Sequence, residues 1–191
     1  SVPHGDPGAA LRHGVAIVPQ ELAFVPEMTV YENLFLGREI KRGPMLDRKA
    51  MAEQAGQMLA DFGVKIDPRA RMGSLSVGLC QLVEIVKNTS KGAKVVLLDE
   101  PSSAISAHEV EHLYATVRRL RDQGVAMVYT THKMEEIRAL ADRVVVLRDG
   151  VLTLDRPADE ITDDEIVTAM IGRELGDLFP ELQPAGDRVV L

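Results

Sequence analysis

Four short apolar runs, separated by stretches in which apolar residues return every three or four positions, predict strands alternating with helices. The runs are Val15-Ala16-Ile17-Val18, Val95-Val96-Leu97-Leu98, Val125-Ala126-Met127-Val128-Tyr129 and Val144-Val145-Val146-Leu147. Unbroken branched residues of this kind suit strands covered on both faces, as in parallel sheets. The helical spacings are clearest at Met51, Ala55, Met58, Leu59 and Phe62, at Leu79, Leu82, Val83 and Val86, and at Val110, Leu113, Tyr114, Val117 and Leu120. The expected fold class is α/β with a mainly parallel sheet.

Punctuation supports these elements. Thr29-Val30-Tyr31-Glu32, Ser106-Ala107-His108-Glu109 and Thr162-Asp163-Asp164-Glu165 each spell a capping box. Asp47 opens the helix that stops at Gly63, and Gly124 stops the one from Ser106. A further helix is expected from about Met134 to Ala141. Lys41 to Pro44 reads as a turn, and Asp149-Gly150 as a hairpin turn into Val151-Leu152-Thr153-Leu154. Residues 1 to 12 are rich in Gly and Pro and read as poorly ordered or truncated. The tail from Glu174 reads as linker.

Composition narrows the class. The 191 residues, 46% hydrophobic, suffice for one domain with a core. A single cysteine, Cys80, excludes an internal disulfide and suits a reducing compartment. A net charge of −7 with scattered Lys and Arg speaks against a nucleic-acid partner. Neither a signal peptide nor a membrane span is written in the apolar runs, so a soluble cytosolic protein is expected.

The chemistry-bearing residues follow the strands. Gln20 stands just past the first run, Asp99 and Glu100 follow the second, and Thr130-Thr131-His132 ends the third. Open α/β sheets bind ligands at the carboxyl ends of their strands, where these side chains fall. His108-Glu109-Val110-Glu111-His112 also matches the zinc-protease pattern. At about 100° per residue both histidines lie opposite the apolar stripe of their helix, and His132 is the sole later histidine. A zinc metalloprotease is therefore a remote alternative.

The ordered set Val18-Pro19-Gln20, Leu75-Ser76-Val77-Gly78, Val95 to Pro101 and Thr130-Thr131-His132 resembles the ATP-binding cassette (ABC) ATPases over nearly the whole chain. Finer segments resemble the ATP-binding subunits of bacterial monosaccharide importers of the ribose, galactose and xylose type. These are Pro19-Gln20-Glu21-Leu22, Glu32 to Glu39, Ala139-Leu140-Ala141-Asp142-Arg143, and Gly172-Arg173-Glu174-Leu175 with Leu178-Phe179-Pro180. In that subfamily two cassettes are fused, and Asp187 to Leu191 would open the second.

The resemblance implies a P-loop NTPase fold over residues 1–173, with a helical subdomain at about 29–90 and a linker at 174–191. It also implies roles. Asp99 matches the Walker B acid that holds Mg2+, and Glu100 the residue that positions or deprotonates the attacking water. His132 resembles the switch histidine that contacts the γ-phosphate. Gln20 resembles the Q-loop residue that senses metal and γ-phosphate. Ser76 and Gly78 belong to the signature motif, which binds ATP held by an opposing cassette. Leu79 departs from the family's Gln, and Ser106 stands where many members have Asp in the D-loop.

None of the fifteen glycines is followed by Lys, so the phosphate-cradling Gly-x-x-x-x-Gly-Lys-[Ser/Thr] is absent from these residues. The chain resembles the C-terminal two-thirds of a first cassette, its N-terminal portion missing, and is expected to be inactive in isolation. The alternative is a non-catalytic or degenerate fragment with apolar sheet faces exposed. ABC-type DNA-maintenance or translation ATPases are disfavoured by the acidic charge. The expected cofactors are ATP and Mg2+. The expected partners are transmembrane permease subunits docking on the segment from Glu21 to Gly37, a second cassette and, indirectly, a periplasmic sugar-binding protein. The expected location is the cytoplasm, peripheral on the inner face of the membrane.

Overall fold

A computed structural model describes residues 6–90 and 92–172, except the side chains of Pro7 and His108. The N-terminal stretch departs from expectation, because Pro7–Arg12 forms helix α1. Asp6 caps it by accepting the Ala9 N–H at 2.9 Å, and Pro7 occupies the first turn, where no N–H is needed. Strand β1, Val15–Val18, follows.

The segment after β1 leads to α2, Val30–Leu34, whose predicted capping box is complete. Buried Asn33 then ties the segment down: its Oδ1 accepts the Val25 N–H at 2.8 Å and its Nδ2 donates to the Val25 carbonyl at 3.0 Å. The expected turn at Lys41 to Pro44 is part of a small antiparallel hairpin, β2 Lys41–Arg42 with β3 Met45–Leu46. Helix α3, Arg48–Asp61, starts from Asp47 and buries Met51, Ala52, Ala55 and Leu59. Met58 is half-buried.

Helix α4, Val77–Thr89, is capped by Ser76 and buries Cys80, Leu82, Val83, Ile85 and Val86. Its charged Glu84 is buried too, which is tolerable because Lys87 Nζ donates to it at 2.9 Å and to the Ala23 carbonyl at 3.2 Å. Strand β4, Val95–Asp99, then pairs parallel with β1. Helix α5, Ala107–Asp122, turns Leu113, Tyr114, Val117 and Leu120 inward, as its spacing predicts. Strand β5, Ala126–Thr130, pairs parallel with the other edge of β4, giving the order β1-β4-β5. Each βα connection needs such a crossover helix.

The central strand buries Val96 and Leu98 completely, each contributing about 1.5–3 kcal/mol by removal from water. The expectation of cover on both faces is not met along the edges. Ile17 of β1 is 57% exposed and Val128 of β5 is 53% exposed. Those side chains share the second face, since Ile17 lies level with Leu97 and Leu97 with Val128.

The chain divides into two units between His132 and Lys133. The second unit, taken by itself, holds α6 Met134–Leu140, β6 Arg143–Arg148, β7 Val151–Pro157 and α7 Asp163–Ile171. Strands β6 and β7 form the expected hairpin, with Asp149 at φ 52° and Gly150 at φ 76°, the two positive values of a type I′ turn. Its core is Val144, Val146, Ala158, Ile161 and Ile166. Arg138 braces it, donating to Asp163 Oδ1 at 2.7 Å and to the Ala158 and Ile161 carbonyls at 2.6 and 2.7 Å. The family-like segment beyond Gly172 and the 174–191 linker lie outside the described residues. No described helix is long and apolar enough to cross a membrane.

Candidate functional site

The parallel register places Val18, Leu98 and Tyr129 level, so the residues just beyond them share one edge of the sheet. Gln20, Asp99, Glu100 and His132 meet there. Gln20 Nε2 donates to Glu100 Oε2 at 3.4 Å, and His132 Nδ1 lies 3.2 Å from Glu100 Oε1. Each oxygen of Glu100 is thus held by a residue from a different strand end. The cluster is open to solvent, with the His132 side chain 63% exposed and that of Glu100 34%.

Glu100 adopts φ 40°, in the left-handed region that side-chain-bearing residues rarely enter. Such a conformation costs on the order of 1–3 kcal/mol and concentrates at functional sites. Its N–H leaves the strand ladder and is accepted by Thr130 Oγ1 at 3.0 Å. The same hydroxyl donates to Asp99 Oδ1 at 2.7 Å. Thr130 is a site residue that the sequence reading passed over, having given the chemistry of Thr130-Thr131-His132 to the histidine. Asp99, opposite Thr130 in the β4–β5 register, was the available signal.

The donor set fits Mg2+ better than zinc. Asp99 offers carboxylate oxygen, and Gln20 offers its amide oxygen, because its nitrogen is turned to Glu100. Two hard oxygens suit an ion that takes its remaining ligands from phosphate and water. Among the described residues no three His, Cys, Asp or Glu side chains gather as a metal cage. His112 of the zinc-protease pattern is exposed, and the side chain of His108 lies outside the described residues.

The signature residues form a second cluster at the start of α4, apart from Glu100. Ser76 Oγ accepts the Leu79 N–H at 3.3 Å and donates to Glu109 Oε1. Glu109 Oε2 accepts from Ser106 Oγ at 2.5 Å. The capping box expected at Ser106 is therefore not made: Ser106 holds the cap position of α5 without a side-chain cap, because Glu109 is turned towards Ser76. Gly78 permits this approach, since a Cβ there would meet Glu109 Cδ at 2.9 Å. Glu109 is the second residue missed, its role masked by the capping-box pattern. Leu79 is half-buried and Cys80 buried beneath the motif. Burial, and then the nearby Glu84, raises the Cys80 thiol above its ordinary pKa.

Known proteins resemble this chain in sequence and fold. A family model described as ABC transporter matches residues 3–103. The ribose import ATP-binding protein RbsA 1 of Streptomyces avermitilis is 43% identical over 178 residues, 93% of this chain and 34% of its own. The arabinose import ATP-binding protein AraG of Pseudomonas syringae pv. tomato is 46% identical over 172 residues, 89% of this chain and 34% of its own. The galactose/methyl galactoside import ATP-binding protein MglA of Escherichia coli K12 is 40% identical over 182 residues, 95% of this chain and 36% of its own. The chain thus spans about a third of the length of these relatives. A solved structure titled as an inward-facing conformation of a putative metal-chelate type ABC transporter superposes with a TM-score of 0.69 at 23% identity, over 83% of this chain and 64% of that one, a likeness of fold. On the motif order, the strand-end cluster and the matched family model, this chain belongs to the ABC transporter family.

Proposed function

We propose that the chain is part of the ATP-hydrolysing subunit of an ABC importer for a monosaccharide, acting at an interface between two cassettes. The observation that carries this reading is the pair of contacts holding Glu100 between Gln20 and His132. The sugar class rests on relatives named for ribose, arabinose and galactose import.

Hydrolysis needs charge neutralised on the phosphates and a water aimed in line with the leaving group. Bound Mg2+ supplies the neutralisation, and Asp99 with the Gln20 amide oxygen would hold it. Glu100 orients the water and takes its proton. Gln20 and His132 fix that carboxylate, so a shift of either strand end changes its aim. His132 also carries a second ring nitrogen, Nε2, which would serve a phosphate oxygen. Ser76, Gly78 and the N-terminus of α4 form the complementary half-site, where N–H groups of the first turn, and the Ser76 hydroxyl once released from Glu109, meet the phosphate of the opposing cassette.

Residues 1–173 are read as a cassette portion with a helical subdomain at about 29–90, and 174–191 as a linker towards a second cassette. The segment from Glu21 to Gly37 is read as the face that meets permease subunits, its shape set by Asn33. The periplasmic sugar-binding protein couples through that permease, and the working location is the cytoplasmic face of the membrane.

The chain lacks a Gly-x-x-x-x-Gly-Lys-[Ser/Thr] segment, so the pure protein is expected to bind ATP weakly and not to turn it over. Joined in frame to a strand, P-loop and helix carrying that segment, it should gain Mg-dependent ATPase activity. Hydrolysis by the pure chain that Glu100→Gln abolishes would overturn the expectation of an inactive isolated chain, and a P-loop-joined protein without Mg-dependent hydrolysis would overturn the proposed function.

A further inference from the structure

We propose that Thr130 is a positioning residue whose single hydroxyl sets both acids of the site, the side chain of Asp99 and the backbone of Glu100. The inference rests on the reading of those two residues as the metal and water acids. Thr130 and Asp99 are register partners at the ends of β5 and β4, so their side chains stand on the same face of the sheet.

A hydroxyl has one hydrogen and two lone pairs. Two acceptors compete for that hydrogen, Asp99 Oδ1 at 2.7 Å and the Leu98 carbonyl at 3.4 Å. The shorter, charge-assisted bond takes it. The Glu100 N–H at 3.0 Å then fills a lone pair. The arrangement has a direction: N–H of Glu100 to Thr130, Thr130 to Asp99.

Two consequences follow. Asp99 Oδ1 is committed to Thr130, which leaves Oδ2 as the oxygen presented to a cation or its water. Glu100, at φ 40°, turns its N–H out of the ladder, where a buried-strand N–H otherwise finds a carbonyl. Thr130 compensates that loss, and the turn it holds directs the Glu100 carboxylate towards Gln20 and His132. A threonine serving only as a strand-forming residue needs its shape and not its hydroxyl. Thr130→Val and Thr130→Ser separate the two.

The test uses the isotope-labelled chain, with Glu100 amide exchange and the Asp99 carboxylate carbon signal as readouts, and Mn2+ as the metal probe. In T130V the Glu100 amide should exchange about tenfold faster, the factor for one lost net hydrogen bond, and the Asp99 carbon signal should move. T130S should restore both, and T130A, which lacks the branched shape, should match T130V. Unchanged Glu100 exchange in T130V and T130A, or failure of T130S to restore it, overturns the proposal. Paramagnetic broadening around Asp99 by Mn2+ should weaken in T130V and return in T130S. If the exchange pattern holds but Mn2+ broadens nothing near Asp99 in any variant, the hold of Thr130 is supported and the metal reading of Asp99 fails.

Discussion

Gln20 and Glu100, 80 positions apart in the chain, share a 3.4 Å hydrogen bond where β1 and β4 end side by side. The bond turns the Gln20 amide so that its nitrogen faces the carboxylate. Replacing Gln20 by Ala removes one of the two holds on Glu100 and the amide oxygen proposed for the cation. Q20A in a P-loop-completed protein should lower the hydrolysis rate about 10- to 100-fold with little change in unfolding free energy, because the residue is exposed. Parallel measurements of turnover and urea unfolding check this.

Glu109 ties Ser76, at the start of α4, to Ser106, at the start of α5. These bonds are charge-assisted but lie at a surface, so the Ser76–Glu109 coupling should be about 1 kcal/mol. A double-mutant cycle of S76A and E109A by urea unfolding measures it directly. Additive effects would contradict the bridge.

The capping box of α2 gives an acid-dependent term. The Thr29 backbone N–H, and then its hydroxyl, hold the Glu32 carboxyl below its ordinary pKa. Its folded value therefore lies below the unfolded one. The stabilisation is fully present above the unfolded value and is lost as pH falls through the folded value. E32Q should be less stable than the parent protein near pH 7, and the gap should close in the acid range below about pH 4. Urea midpoints across that range test the sign.

Much of the fold could be read from the chain because its signals are local. Branched runs made β1, β4 and β5, the Thr29 and Thr162 boxes opened α2 and α7, and Asp149-Gly150 closed its hairpin. The strand-end residues were legible because buried strands are short and their polar ends stand out. Glu109 misled because a capping box is a local pattern, whereas its partner Ser76 is 33 positions away. Thr130 and Asn33 were silent for the same reason: their roles depend on which backbone group the fold brings to an ordinary polar side chain. The edge exposure of Ile17 and Val128 was hidden because an apolar run does not record what covers it.

Cys80 lies in α4 beneath the signature motif, buried, with its thiol raised chiefly by loss of water. The thiolate is the reactive form, so the folded chain should resist alkylation by iodoacetamide at neutral pH and react quickly in urea. Fast native alkylation would show that α4 does not pack as described.

Glu100 is the residue proposed to aim the water. The direct measurement is steady-state ATP hydrolysis with ATP affinity, on the P-loop-completed protein assembled with the proposed permease and second cassette. Glu100→Gln there should lower kcat by about 100- to 10,000-fold while leaving ATP affinity within about twofold. A Glu100→Gln protein that hydrolyses ATP at the parent rate would contradict that role.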